Sequence, residues 1–217
     1  MRNPGDTPVV PLRRIHIETD ALVLVDPQRD LARECVSAER VVHTLNRWLE
    51  VPHLTRIATR HWHPTGHCSF RSRGGDMPIH CIQGTDGAEF IKELNSDAFD
   101  LIVSKGSDIY AEGVSAFDAV EMGLILHLME ITRLWIGGFM ADRFVRATAL
   151  EALRRGFCVE LISDGLAFRS DADEPAVRRE LRDAGCGFVE TDEILGVEPG
   201  APTDLGDHHG NAPAETG

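Results

Sequence analysis

Ala21-Leu22-Val23-Leu24-Val25-Asp26 is a run of five apolar residues that stops on a carboxylate. Alternating apolar and polar residues mark a strand with one wet face, whereas an unbroken apolar run marks a strand covered on both faces. Further short runs follow: 54–58 leading into His61, 99–104 leading into Lys105, 134–136 before Gly137 and Gly138, 157–162 and 187–189. Between them lie stretches with helical spacing. Ser37 to Leu49 carries Val41, Val42, Leu45 and Leu49 on one face; 116–129, 142–155 (with Asp142 as N-cap and Gly156 at the end) and 174–184 read as helices too. Six covered strands alternating with helices predict an α/β fold: a three-layer α/β/α sandwich with a mostly parallel, six-stranded, doubly wound sheet.

Composition narrows the partners. Among 217 residues, 22 Lys and Arg against 35 Asp and Glu give a formal net charge of −13. A chain this acidic offers no basic face to nucleic acid or to an anionic membrane. No apolar run approaches the ~18–20 residues of a membrane span. Residues 1–14 lack the apolar core of a signal peptide, and the five cysteines form no CxxC pair. Both features suit reduced thiols in a cytoplasm. Residues 1–15 are expected to be flexible, 16–197 to form the domain, and 198–217, rich in Gly, Pro and acids, to form a disordered tail.

In an open parallel sheet, ligands bind beyond the carboxyl ends of the strands. Asp26, His61, Lys105 and residues 139–144 all fall there. The segment 61–89 is too long for an ordinary connection and holds His61, His63, His67 and His80. Clustered imidazoles are the usual means of holding a divalent metal, zinc first, with iron, nickel or manganese as alternatives. The competing reading is a His-rich loop whose rings pack on Trp62 and Phe70. Asp26 facing Lys105 across a strand-end crevice forms a pair whose protonation can be shifted for catalysis, or a structural ion pair.

The segments VDPQRD (25–30), ATRHWHPTGHCSF (58–70), MPIHCIQGTDGAEF (77–90), VSKG (103–106), YAEGVSAF (110–117) and GGFMADRFVRATALEALRRGF (137–157) together resemble the isochorismatase-like cysteine hydrolases, the nicotinamidase branch most closely. The resemblance implies a general base at Asp26, its catalytic partner at Lys105, and metal ligands at His63, His67 and His80. It also implies a cis peptide between Phe139 and Met140, oxyanion-hole N–H groups from Met140 and residue 144, and a homodimer or homotetramer.

The sequence also departs from that family. The nucleophilic cysteine position holds Phe144, and a phenyl ring cannot form a thioester. The family's metal-binding Asp is His61, which makes all four expected ligands neutral. The aromatic walls that hold a nicotinamide ring are Leu31 and Met77. Leu31, Met77, Phe139, Met140, Arg143 and Phe144 are therefore the expected lining of a reshaped substrate pocket, with Arg143 a candidate for binding an acid. Three functions remain open: a thiol-free, metal-dependent hydrolase acting on a small carboxamide or carboxylate, an isochorismatase-type vinyl-ether hydrolase, and a pseudoenzyme that binds a small ligand.

Overall fold

The computed structural model describes residues 13–197. The expected tail, and the expected flexible segment up to residue 12, lie outside the described residues. Arg13 lies inside them and is held by Glu160 at 3.0 Å and by the Phe188 carbonyl at 2.7 Å.

Six strands form one parallel sheet: β1 (Asp20–Val25), β2 (Thr55–His61), β3 (Leu101–Lys105), β4 (Arg133–Phe139), β5 (Cys158–Ala167) and β6 (Gly187–Val189). Their spatial order is β3-β2-β1-β4-β5-β6. The chain winds outward from β1 to β3, then crosses back to start β4 on the other side of β1. The winding therefore reverses between β1 and β4, and in doubly wound sheets this point opens the crevice for a ligand. β1 is buried at every position, as its unbroken apolar run requires. Its one polar residue at the entrance, Asp20, accepts the Trp135 indole N–H at 2.9 Å.

The helices are α1 (Arg29–Arg33), α2 (Ala38–Leu49), α3 (Val120–Leu128), α4 (Arg146–Arg154), α5 (Glu174–Ala184) and α6 (Thr191–Leu195). α2 packs with α6 against β4 and β5, with Trp48 and Trp135 in ring contact at 5.2 Å; α4 packs with α5. Among the described residues no helix is long and apolar enough to cross a membrane.

Two local expectations are corrected. The helix expected to start at an Asp142 cap begins instead as a π-helical turn, Ala141–Val145, and Asp142 makes no cap because its carboxylate is bound by Arg169 at 2.8 Å. The helix expected over 116–129 is broken into a 3₁₀ turn at Ala116–Asp118, closed by a Ser115–Asp118 capping box, and α3.

Gly138 marks how tightly β1 and β4 approach at the switch point. Its φ is +137°, and a Cβ there would sit 2.2 Å from the Val25 carbonyl oxygen. Gly138→Ala should therefore destabilise the fold by about 2–4 kcal/mol. A urea unfolding midpoint equal to wild type would show that the two strands can part at no cost.

Candidate metal and acid–base centre

The end of β1 turns sharply. Asp26 has φ 47° and is completely buried. Its Oδ1 accepts the Thr59 hydroxyl at 2.7 Å, while the Thr59 oxygen accepts the Asp26 N–H at 3.2 Å. Lys105, the last residue of β3, reaches back over β2 so that its ammonium lies 2.8 Å from Asp26 Oδ2. That approach is an ion pair by distance, but it lies off the line of a hydrogen bond, and Oδ2 has no hydrogen-bonded partner among the described residues. The ammonium donates instead to the carbonyls of Gly113 at 2.7 Å and Val114 at 3.2 Å, and lies 2.5 Å from His61 Nε2. Burial alone would raise the Asp26 carboxyl, but the positive charge of Lys105, with His61 beside it, holds it well below the usual carboxylate range. Burial lowers Lys105, and Asp26 opposes that shift.

Gln28 builds the wall next to this pair. Wholly buried, its amide nitrogen donates to the carbonyls of His61 at 2.8 Å and Ala88 at 2.7 Å, and its oxygen accepts the His61 N–H at 2.7 Å. One side chain thus ties the end of β2 to the far end of the histidine loop. The loop folds back on itself through His63 N–H to the Cys81 carbonyl at 3.0 Å and Gln83 N–H to the His63 carbonyl at 2.9 Å. This brings His80 beside the end of β2.

Three rings converge: His61, His63 and His80, all buried, offer ligand atoms within 4.8 Å of one another. Their outer contacts show which nitrogens are bare. His63 Nδ1 lies 2.8 Å from the Gly106 carbonyl and His80 Nδ1 lies 2.9 Å from the Pro78 carbonyl. A carbonyl can only accept, so both Nδ1 atoms carry hydrogen and both Nε2 atoms present lone pairs. These face His61 Nδ1 at 2.7 and 3.3 Å. Outer N–H groups pinned by carbonyls and inner lone pairs converging is the arrangement that fits a cation. Burial lowers all three rings, His61 to about 3 and His63 to about 2, so they are neutral near pH 7.

His67, expected as a fourth ligand, does not join them. Its ring stacks on His63 at 3.9 Å, with Nδ1 2.8 Å from the Ser69 hydroxyl and Nε2 2.9 Å from the Ala111 carbonyl. Both ring nitrogens are spent, so it supports the His63 ring without offering a lone pair.

Phe144 lies on the π-helical turn after β4, its ring 4.3 Å from the His61 ring and 4.8 Å from the Lys105 ammonium. The oxyanion-hole expectation is corrected here. No cis peptide occurs among the described residues, so Phe139–Met140 is trans, and the Phe144 N–H donates to the Met140 carbonyl at 2.9 Å. Phe139 and Met140 are buried beneath the turn, and Leu31 and Met77 are buried in the main core. Arg143 does not present a free guanidinium to the site: it pairs with Asp76 and, at 3.6 Å, with Glu112. Of the thiols, burial raises Cys35 and Cys186 to about 11 and Cys81 well above its usual value, the reverse of an activated nucleophile.

The isochorismatase domain matches residues 20–193. The chain belongs to the isochorismatase family. The nicotinamidase of Schizosaccharomyces pombe is 32% identical over 210 residues, covering 81% of this chain and 95% of the relative. The solved PnC1 of L. infantum, in complex with nicotinate, superposes with a TM-score of 0.80 at 29% identity, covering 84% of this chain and 98% of its own. The pyrazinamidase of Pyrococcus horikoshii, in complex with zinc, gives 0.73 at 35% identity over 79% and 98%. These place the chain beside the nicotinamidases and confirm the α/β sheet that its sequence predicts.

The buried neutral rings have a measurable consequence. In the unfolded chain an imidazole takes up a proton near pH 6.5, but His61 and His63 resist protonation down to about 3 and 2 in the folded protein. Below about 6.5 the unfolded chain binds more protons, so stability falls with pH, by about 1.4 kcal/mol per ring per pH unit. The thermal midpoint of metal-free protein should drop between pH 7 and pH 5. A flat profile would mean that the rings are protonated, or exposed, in the folded state.

Proposed function

We propose that this protein is a metal-dependent hydrolase of a small carboxamide or carboxylate that works without a cysteine nucleophile. The observation that carries this reading is the convergence of ring nitrogens from His61, His63 and His80 beside the buried Asp26–Lys105 pair. The zinc in the Pyrococcus relative supports a divalent ion at such a site, and the nicotinate bound by the L. infantum relative supports a small substrate. When bound, the ion supplies a Lewis acid that polarises a carbonyl or activates water.

The chain's own residues do the rest. Asp26, kept ionised by Lys105, takes a proton from the attacking water and returns it to the leaving group. Lys105 balances the negative charge that develops as water adds to the carbonyl. Thr59 and Gln28 hold Asp26 and His61 in place. Phe144, at the position that the family gives to its thiol, closes the covalent route and presents an apolar ring to the substrate side of His61.

Phe144 also favours one rival. A ring seated on both His61 and Lys105 occupies space that a substrate needs, which suits a protein that binds a ligand without turning it over. Two measurements separate the readings. Metal analysis by inductively coupled plasma mass spectrometry, on untagged protein, should find near-stoichiometric zinc or a similar ion in wild type and little in His80→Ala. Carboxamides and their acids should then be screened for turnover. Asp26→Asn should lower any turnover by about 10²-fold or more, and turnover that survives the substitution would remove Asp26 from the chemistry.

A further inference from the structure

A helix that covers one face of a sheet normally turns polar residues outward, and a helix that is apolar all round is normally buried. α3 does neither. Met122 and Leu126 are buried on its inner side, while Val120, Leu124 and Leu128 on its outer side are 89%, 58% and 71% exposed. Met129, just past the helix end, is exposed as well. Four of the ten large apolar residues exposed among the described residues thus lie at 120–129. Single exposed apolar residues need no explanation, but a contiguous group marks a surface that something covers.

Val120, Leu124 and Leu128 are spaced four apart, so they form a ridge of the kind that packs into a groove of another helix. Such a groove runs beside it. Gly123 leaves a gap in the next row, and Val120, Gly123, Leu124, His127, Arg155 and Phe157 line a hollow of about 360 Å³. Ridge and groove lie side by side on one surface, which can therefore serve as both halves of a contact with its own copy. The exposed apolar side chains amount to on the order of 400 Å² per copy; with a polar rim, two such faces reach the ~1,200 Å² of the smallest specific interfaces.

The charges on the two flanks set the orientation. At about 100° per residue, Glu121 lies roughly 60° to one side of Leu124 and Gly123 roughly 100° to the other. Arg155 runs along the Gly123 flank, its Nη1 3.3 Å from where a Gly123 Cβ would be. Its Nε is bound by Glu151 at 2.8 Å and its side chain stays 46% exposed. Glu121 is exposed and has no ion pair among the described residues. A two-fold axis roughly parallel to α3 sets the Glu121 flank of each copy against the Arg155 flank of the other, at nearly the same height. The opposite charges then meet twice, whereas an antiparallel pairing would set like flank against like.

We propose that α3 is the dimer interface of this protein: the Val120–Leu124–Leu128 ridge of each copy packs into the groove of the other, and Glu121 pairs with Arg155 across the two-fold axis. The contact needs neither metal nor substrate.

Sedimentation velocity of the full chain, from about 1 to 100 μM, tests this. Wild type should sediment as a dimer or a multiple of it. Leu124→Glu should weaken that association by about 100-fold or more; because Leu124 is already exposed in a single copy, the variant should keep the wild-type circular dichroism spectrum. Glu121→Arg and Arg155→Glu should each weaken association by about 10-fold, and the double variant, which exchanges the two signs, should return to within about 3-fold of wild type. If Arg155→Glu fails to fold beside Glu151, Leu124→Glu decides alone. A wild-type monomer at the highest concentration, which would leave the face to a partner of another kind, would overturn the proposal. So would an oligomer that Leu124→Glu leaves intact, or a double variant that associates no more tightly than its single parents.

Discussion

A carboxylate and an ammonium, both with fully buried side chains and 2.8 Å apart, lie where the sheet reverses its winding. Burying two charges is costly unless each is met by its opposite and by hydrogen bonds. The surrounding structure supplies these: the Thr59 hydroxyl on Asp26, the Gly113 and Val114 carbonyls on Lys105, and Gln28 fixing the strand between them. Each belongs to a different segment. The β1 end, β2, β3 and the loop after it are therefore held in one relation by the need to satisfy a single ion pair.

The histidine loop attaches to the same scaffold. Gln28 binds its start and end, Asp30 accepts the Cys81 N–H at 2.9 Å, and Gly106 brings a carbonyl against His63. Gly106 tolerates no side chain, because a Cβ there would lie 2.4 Å from the His63 ring. The loop thus has little regular structure but many fixed points, and its rings are buried because the backbone around them has nowhere else to go.

Much of this was legible in the sequence, and the exceptions have identifiable causes. Unbroken apolar runs gave the strands, and the rule that strand ends carry function picked out Asp26, His61 and Lys105 before any contact was visible. β5 runs to Ala167, five residues beyond its expected end at 162, because the apolar run is broken by Ser163-Asp164-Gly165. In the fold, Asp164 is satisfied by Thr191 at 2.8 Å and Arg178 binds Ser163, so polar residues continue a strand. Thr59 and Gln28 are not legible in the sequence, because a hydroxyl in a strand and an amide after a proline acquire meaning only through their burial. His67 could not be told from its neighbours, since spacing brings four histidines close without saying which way each ring points. The trans Phe139–Met140 peptide and the Phe144 N–H bound to the Met140 carbonyl depart from what the resemblance implied.

The three histidines also set the charge that a metal would see. Three neutral imidazoles leave a divalent ion its whole charge, and the nearest anion, Asp26, is already matched by Lys105. On the proposed reading, the balance falls to whatever binds: an anionic ligand is favoured over a neutral one by the uncompensated charge itself. Arg143, which sequence alone suggested for that task, is committed to Asp76 and Glu112 at the rim. Recognition of an acid would then come from the ion in the interior, with Phe144 limiting the shape of what can reach it.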